Sequence, residues 1–147
     1  MNKKYTDEAE IIDLVRSFEN ATIAREDWHH PEHMVVALYY LTHHDLDTAT
    51  TRMRDGIFRL LREKFEVDLT KEMPYHETLT IFWMRAVADF KASKNGSSLL
   101  DNANEVVGTF DKDHPLRFYS RERLFSDEAR ARFVPGDLAN SETRFSK

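Results

Sequence analysis

Three histidines raise the chemical question in this sequence. His30 and His33 stand three residues apart in Glu26-Asp27-Trp28-His29-His30-Pro31-Glu32-His33, and His76 lies in a second short motif, Tyr75-His76-Glu77-Thr78-Leu79-Thr80. Imidazole changes charge near neutral pH and is the commonest side-chain metal ligand. Residues three apart are neighbours on a helix surface, so His30 and His33 can present their rings to one ion. His76, from a second helix, would be the third nitrogen. Such a set suits zinc, iron, manganese or nickel, and a carboxylate would complete it. Glu19, Glu26 and Glu77 are the candidates, Glu77 being the weakest because it lies about 100° around the helix from His76. Tyr75 and Thr80 are candidate contacts to a small polar ligand. If the site is catalytic, an open coordination position would activate water or dioxygen, with Glu77 or Glu26 accepting the proton.

A plainer reading competes with this one. An inward histidine is often a hydrogen-bonded core residue, and His-x-x-His alone is a weak signal beside a zincin motif or a four-cysteine frame. The protein would then be a non-catalytic helical module, regulatory or partner-binding, with structural histidines. Geometry separates the two. Ring nitrogens converging on one point favour the ion, whereas imidazoles bonded separately to backbone favour the module. His43 and His44 suit a helix end, and His114 before Pro115 reads as a loop residue. Trp28 and Trp83 read as core rather than as a stacking platform.

Helices must position these groups. Thr6, with Asp7 and Glu8 behind it, is a helix-start signal, and Ile11, Leu14, Val15 and Phe18 recur at helical spacing. That first helix is predicted to run into the Asn20–Ala24 region. Pro31 places the second start close by, with Met34, Ala37, Leu38 and Leu41 as its apolar stripe. His30 then falls within roughly 30° of the stripe's centre and His33 nearer its edge. A third helix starts at Asp47 or Thr48, with Gly56 inside it to admit a close neighbour. The segment 66–74 reads as a loop. The fourth helix follows Pro74 and carries Leu79, Phe82, Trp83, Ala86, Val87 and Phe90, with Lys94-Asn95-Gly96 to close it. Ser97 or Ser98 caps a fifth segment, and Ser120 and Ser126 each start a short one. From Pro135 the periodicity stops, which predicts an extended or disordered arm.

The fold class expected is therefore all-α, a compact bundle of four to six helices forming one domain over 1–147, with a short irregular C-terminal arm. Only four glycines and four prolines in 147 residues argue against an all-β domain. A net charge of −5 gives no basic face for nucleic acid. With no cysteine, disulfides, thiolate ligands and a Cys nucleophile are excluded. Met1 to Glu10 has no apolar signal-peptide core, and no apolar run would span a bilayer, so a cytoplasmic protein is expected. No nucleophile-elbow spacing supports a hydrolase triad.

Phe18-Glu19, Trp28-His29-His30-Pro31-Glu32-His33-Met34 and Tyr75-His76-Glu77-Thr78-Leu79-Thr80 resemble a family of small, uncharacterised helical bacterial proteins. That family's pattern is Phe-Glu, Glu-Trp-Thr-His-x-x-His-Leu and Tyr-His-Glu-Thr-x-Thr. Phe118-Tyr119-Ser120 and Leu124-Phe125-Ser126 continue the likeness, which spans Phe18 to about Leu138. The sequence departs from it at Asp27, where the pattern has Glu, and at His29, where it has Thr. The resemblance implies positions and no reaction: Glu19, Trp28, His30, His33, Tyr75, His76, Glu77 and Thr80.

Overall fold

The first helix, α1 (Glu8–Glu19), begins at a reciprocal cap, Asp7 accepting from the Glu10 amide while Glu10 accepts from the Asp7 amide. Thr6 is outside the cap and donates its hydroxyl to Glu10. The computed structural model describes residues 4–69, 71, 74–94 and 96–138, and among these every regular element is helical. α1 stops at Glu19, short of the predicted Asn20–Ala24 region. Ala21 turns left-handed (φ 56°), and the Thr22 amide bonds back to the Ser17 carbonyl, closing the last turn.

The next helix, α2 (His30–His43), has His29 at its cap position and Pro31 in its first turn. It was read as amphipathic, yet Met34, Val35, Val36, Ala37, Leu38, Tyr40 and Leu41 are all buried. A helix apolar all round belongs at the centre. α2 packs against α1, against α3 (Leu46–Arg59), against α4 (Glu77–Ala92) and against α5 (Leu99–Thr109). The α1–α3 approach is set by Gly56, where a side chain would overlap Cε2 and Cζ of Phe18. Asp45 caps α3 through the Thr48 amide, two or three residues before the predicted start.

Past Arg59 the chain continues in one π turn, Leu60–Lys64, closed by Phe65 N–H to the Leu60 carbonyl at 2.8 Å. It then leaves the helix at Glu66, whose φ is 56°. Ser98, Ser120 and Ser126 cap α5, α6 (Arg121–Leu124) and α7 (Asp127–Ala131) by accepting from the amide three residues on. Five long helices and two short ones thus form the bundle described. No helix among the described residues is long and apolar enough to cross a membrane.

Beyond α7 the chain is irregular but held. Thr78 donates to the Arg132 carbonyl and accepts from the Val134 amide, Tyr119 donates to the Val134 carbonyl, and Ser120 meets Asp137. The arm expected from Pro135 is therefore docked as far as Leu138, and its remainder lies outside the described residues.

His114 is no loop ornament. It opens a short turn, His114–Arg117, and its ring lies 5.8 Å from Phe82, 5.0 Å from Phe110 and 5.4 Å from Phe118, within an aromatic cluster.

Candidate functional site

α2, α3 and α4 do not close completely on one another. Between them is a cavity of about 420 Å³. α2 and the residue before its cap contribute Trp28, His30, His33, Met34 and Ala37. The facing wall is Met53, Ile57, Leu60, Leu61 and Phe65, from α3 and its π turn. α4 and its approach supply Tyr75, His76, Leu79, Thr80, Trp83 and Met84, with Pro74 and Lys112 at the exposed rim. Leu14 and Trp83, which fall on predicted apolar stripes, are only half-buried, as is Ile57. For Ile57 and Trp83 the reason is that they face this space.

All three singled-out histidines line the cavity, and each is held by a backbone carbonyl. His30 Nε2 donates to Phe110 O at 2.8 Å, and its ring lies 4.8 Å from that of Trp83. His33 Nδ1 donates to His29 O at 2.9 Å, with its ring 4.1 Å from Trp28. Trp28 in turn stacks on Phe18 at 4.7 Å. His76 uses both nitrogens: Nδ1 accepts from the Leu79 amide at 3.1 Å, capping α4, and Nε2 donates to Leu124 O at 2.6 Å. It is therefore the cap of the fourth helix rather than its first helical residue. Burial pushes the His33 imidazole down to about 4, and burial also lowers His76 against the opposing pull of the Leu124 carbonyl.

Tyr75 and Thr80 also reach the wall, with their protons turned into the protein. Tyr75 donates to Glu77 Oε1 at 2.5 Å and Thr80 to the His76 carbonyl at 3.1 Å. Burial, then the Glu77 bond, pushes the Tyr75 hydroxyl up to about 12.

The three carboxylates do not join them. Glu77 turns away and is gripped by Arg54, Nε at 3.0 Å and Nη2 at 2.7 Å. Burial alone would raise its carboxyl, but Arg54 and Tyr75 hold it below the usual carboxylate value. Glu19 accepts from Tyr40 at 2.7 Å, and Glu26 is exposed in the short turn Arg25–Asp27. His29 is exposed at the α2 cap position and contributes its carbonyl to His33, so it does not line the site. Arg59 donates to the Glu19 carbonyl at 3.0 Å.

The histidines thus share one cavity, while among the described residues no group of three or more His, Asp or Glu could hold a metal ion. Their separate carbonyl bonds are the geometry named above for structural histidines. What sequence reasoning missed is the apolar lining: Trp28 and Trp83 read as core, Met53 and Leu61 as part of the third helix's apolar side, and Phe65 and Lys112 carried no signal. The chemistry available is recognition by shape and by a few fixed hydrogen-bonding groups. Compared with known proteins, the chain matches no family model, no curated protein and no solved structure.

Proposed function

We propose that this protein binds a small, largely apolar organic molecule in the cavity between α2, α3 and α4. The observation that carries the proposal is the cavity's size and lining together. About 420 Å³ lies within the ~300–1,000 Å³ of small-molecule pockets, which are mostly apolar with a few placed polar groups. Met34, Met53 and Met84 give the wall polarizable, unbranched chains that adapt to an occupant's shape. Among the described residues no carboxylate lines the space, which favours recognition over proton transfer. Binding is the better reading than catalysis. A divalent ion is a weaker occupant, because His76 would have to release its cap or its Leu124 carbonyl to ligate one.

Trp28 and Trp83 are the only tryptophans of the chain and both line the cavity, so tryptophan emission, excited apart from the tyrosines, reports on it. Titrating the protein with naphthalene is expected to change that emission saturably. At ten times Kd, occupancy adds about 1.4 kcal/mol, a rise in Tm of roughly 3–6 °C. Ile57→Phe places a ring in the space and is expected to weaken binding while the protein stays folded. Emission and Tm indifferent to naphthalene in the folded wild type would refute the proposal, as would undiminished binding in Ile57→Phe.

A further inference from the structure

We infer that the cavity is broad in its choice of ligand shape, taking flat, rounded and elongated apolar molecules alike, because Met34, Met53 and Met84 form an inner surface that repacks around each; this rests on the cavity being a binding site. The observation behind it is where the methionines are. Three of the chain's five fall among the described residues, and all three line this one cavity. Away from it the described core is aliphatic and aromatic, with no methionine. Methionine is thus not the general filler of this fold. Each helix around the cavity supplies one: α2 Met34, α3 Met53 and α4 Met84.

The three belong to the inner end of the space. Met34, Met53 and Met84 are 1%, 4% and 1% exposed, whereas Trp28, Ile57, Leu61, Phe65 and Trp83 are half-buried and stand nearer the mouth. Helical spacing agrees. Met34 lies one turn along α2 from His30, and Met84 one turn along α4 from Thr80, so both are further into the bundle than the helix starts that carry the histidines.

Much of the remaining wall is fixed. Trp28 is stacked on Phe18, His30, His33 and His76 are each bonded to a carbonyl, and Tyr75 is tied to Glu77. Methionine differs from all of these. It has three rotatable bonds, no branch and a thioether that forms only weak hydrogen bonds, so it turns at little cost. An apolar cavity of about 150 Å³ takes one benzene. A ten-carbon body therefore leaves gaps in about 420 Å³, and atoms lining a gap forfeit their contacts. Chains that swing inward close those gaps, whichever way the occupant is shaped, and surfaces that repack in this manner bind unlike partners with similar strength.

Three ten-carbon alcohols of different shape decide the matter by calorimetry: 2-naphthol is flat, 1-adamantanol rounded and 4-butylphenol elongated. Corrected for octanol–water partitioning, their affinities for the wild type are expected to agree within about tenfold. The triple variant Met34→Leu/Met53→Leu/Met84→Leu keeps the volume, a swap that cores tolerate, while taking a rotatable bond from each chain. In it the spread of affinities should widen by about threefold or more. If the triple variant does not fold, the three single variants replace it, and at least one should widen the spread. With the methionine methyls labelled by carbon-13, the signals of Met34, Met53 and Met84 should move with every probe, to positions that differ between probes. A wild-type spread beyond about tenfold, a spread that does not widen in the folded variants, or methionine signals indifferent to a bound probe would overturn the adaptable inner surface and leave the cavity as a binding site. Binding of none of the three alcohols, with naphthalene also without effect, would overturn both.

Discussion

Gly56→Ala is the substitution whose outcome the packing dictates most sharply. On propensity alone the change should help, since alanine in a helix interior is better than glycine by about 0.8–1.0 kcal/mol. The packing says otherwise. A Cβ at residue 56 would overlap Cε2 and Cζ of Phe18, a ring with 0% exposure. That ring cannot swing aside, because its face is stacked on Trp28 at 4.7 Å and Trp28 leans on His33 at 4.1 Å. Overpacking a closed core costs about 1–3 kcal/mol, and so rigid an obstacle belongs at the upper end. The net expectation is a loss of about 1–2 kcal/mol by urea denaturation with the slope unchanged. A double-mutant cycle isolates the cause. In a Phe18→Leu background the obstructing ring edge is gone, so Gly56→Ala should become neutral or stabilising, a coupling of about 1–3 kcal/mol. Effects additive within about 0.3 kcal/mol, or stabilisation by the single change, would refute the contact as the cause.

Three other outcomes follow from the same structure. Phe82→Ala should cost about 3–5 kcal/mol in chemical denaturation, since Phe82 is fully buried and its ring meets Trp83, Phe118 and Tyr119; a loss under about 1 kcal/mol would contradict that packing. His76→Ala removes the α4 cap and leaves the Leu124 carbonyl without its donor, for about 2–3 kcal/mol, while His76→Asn, able to cap, should regain about 1 kcal/mol of this; equal losses would show that the cap is unimportant. Because the His33 imidazole is held down to about 4, the folded chain stays neutral there at pH values where the unfolded chain, with an ordinary value of 6.5, takes a proton. Stability is then unaffected above about pH 6.5 and falls as pH drops toward 4, by up to about 1.4 kcal/mol per unit, and His33→Phe should flatten that slope in denaturation series across pH.

Helix starts were legible wherever one side chain makes the structure locally. Ser98, Ser120 and Ser126 each cap the segment expected of them, and Pro31 marks the first turn of α2. The central place of α2 was harder to see, although Val35 and Val36 fill what an amphipathic helix would leave polar. Its surroundings are set by four other helices, not by its own spacing. That His30, His33 and His76 all line one cavity agrees with their helical phase. The fate of the carboxylates did not, because Arg54 and Tyr40, which claim Glu77 and Glu19, lie 23 and 21 residues away in sequence. A cavity has no residue type of its own. It arises where three helices fail to fill the space between them, so the same tryptophans and methionines read as ordinary core until the packing is seen.

The position of α2 also governs time. It carries His30 and His33 and is packed on by α1, α3, α4 and α5, so no partial opening can free it. Its interior amides should exchange with solvent deuterium only through global unfolding, among the slowest in the chain. The facing wall ends in a single π turn and the left-handed Glu66, with Leu61 and Phe65 only half-buried, and so lacks that enclosure. Amides of the π turn should therefore exchange well before those of α2, so that the two walls of one cavity differ in lifetime.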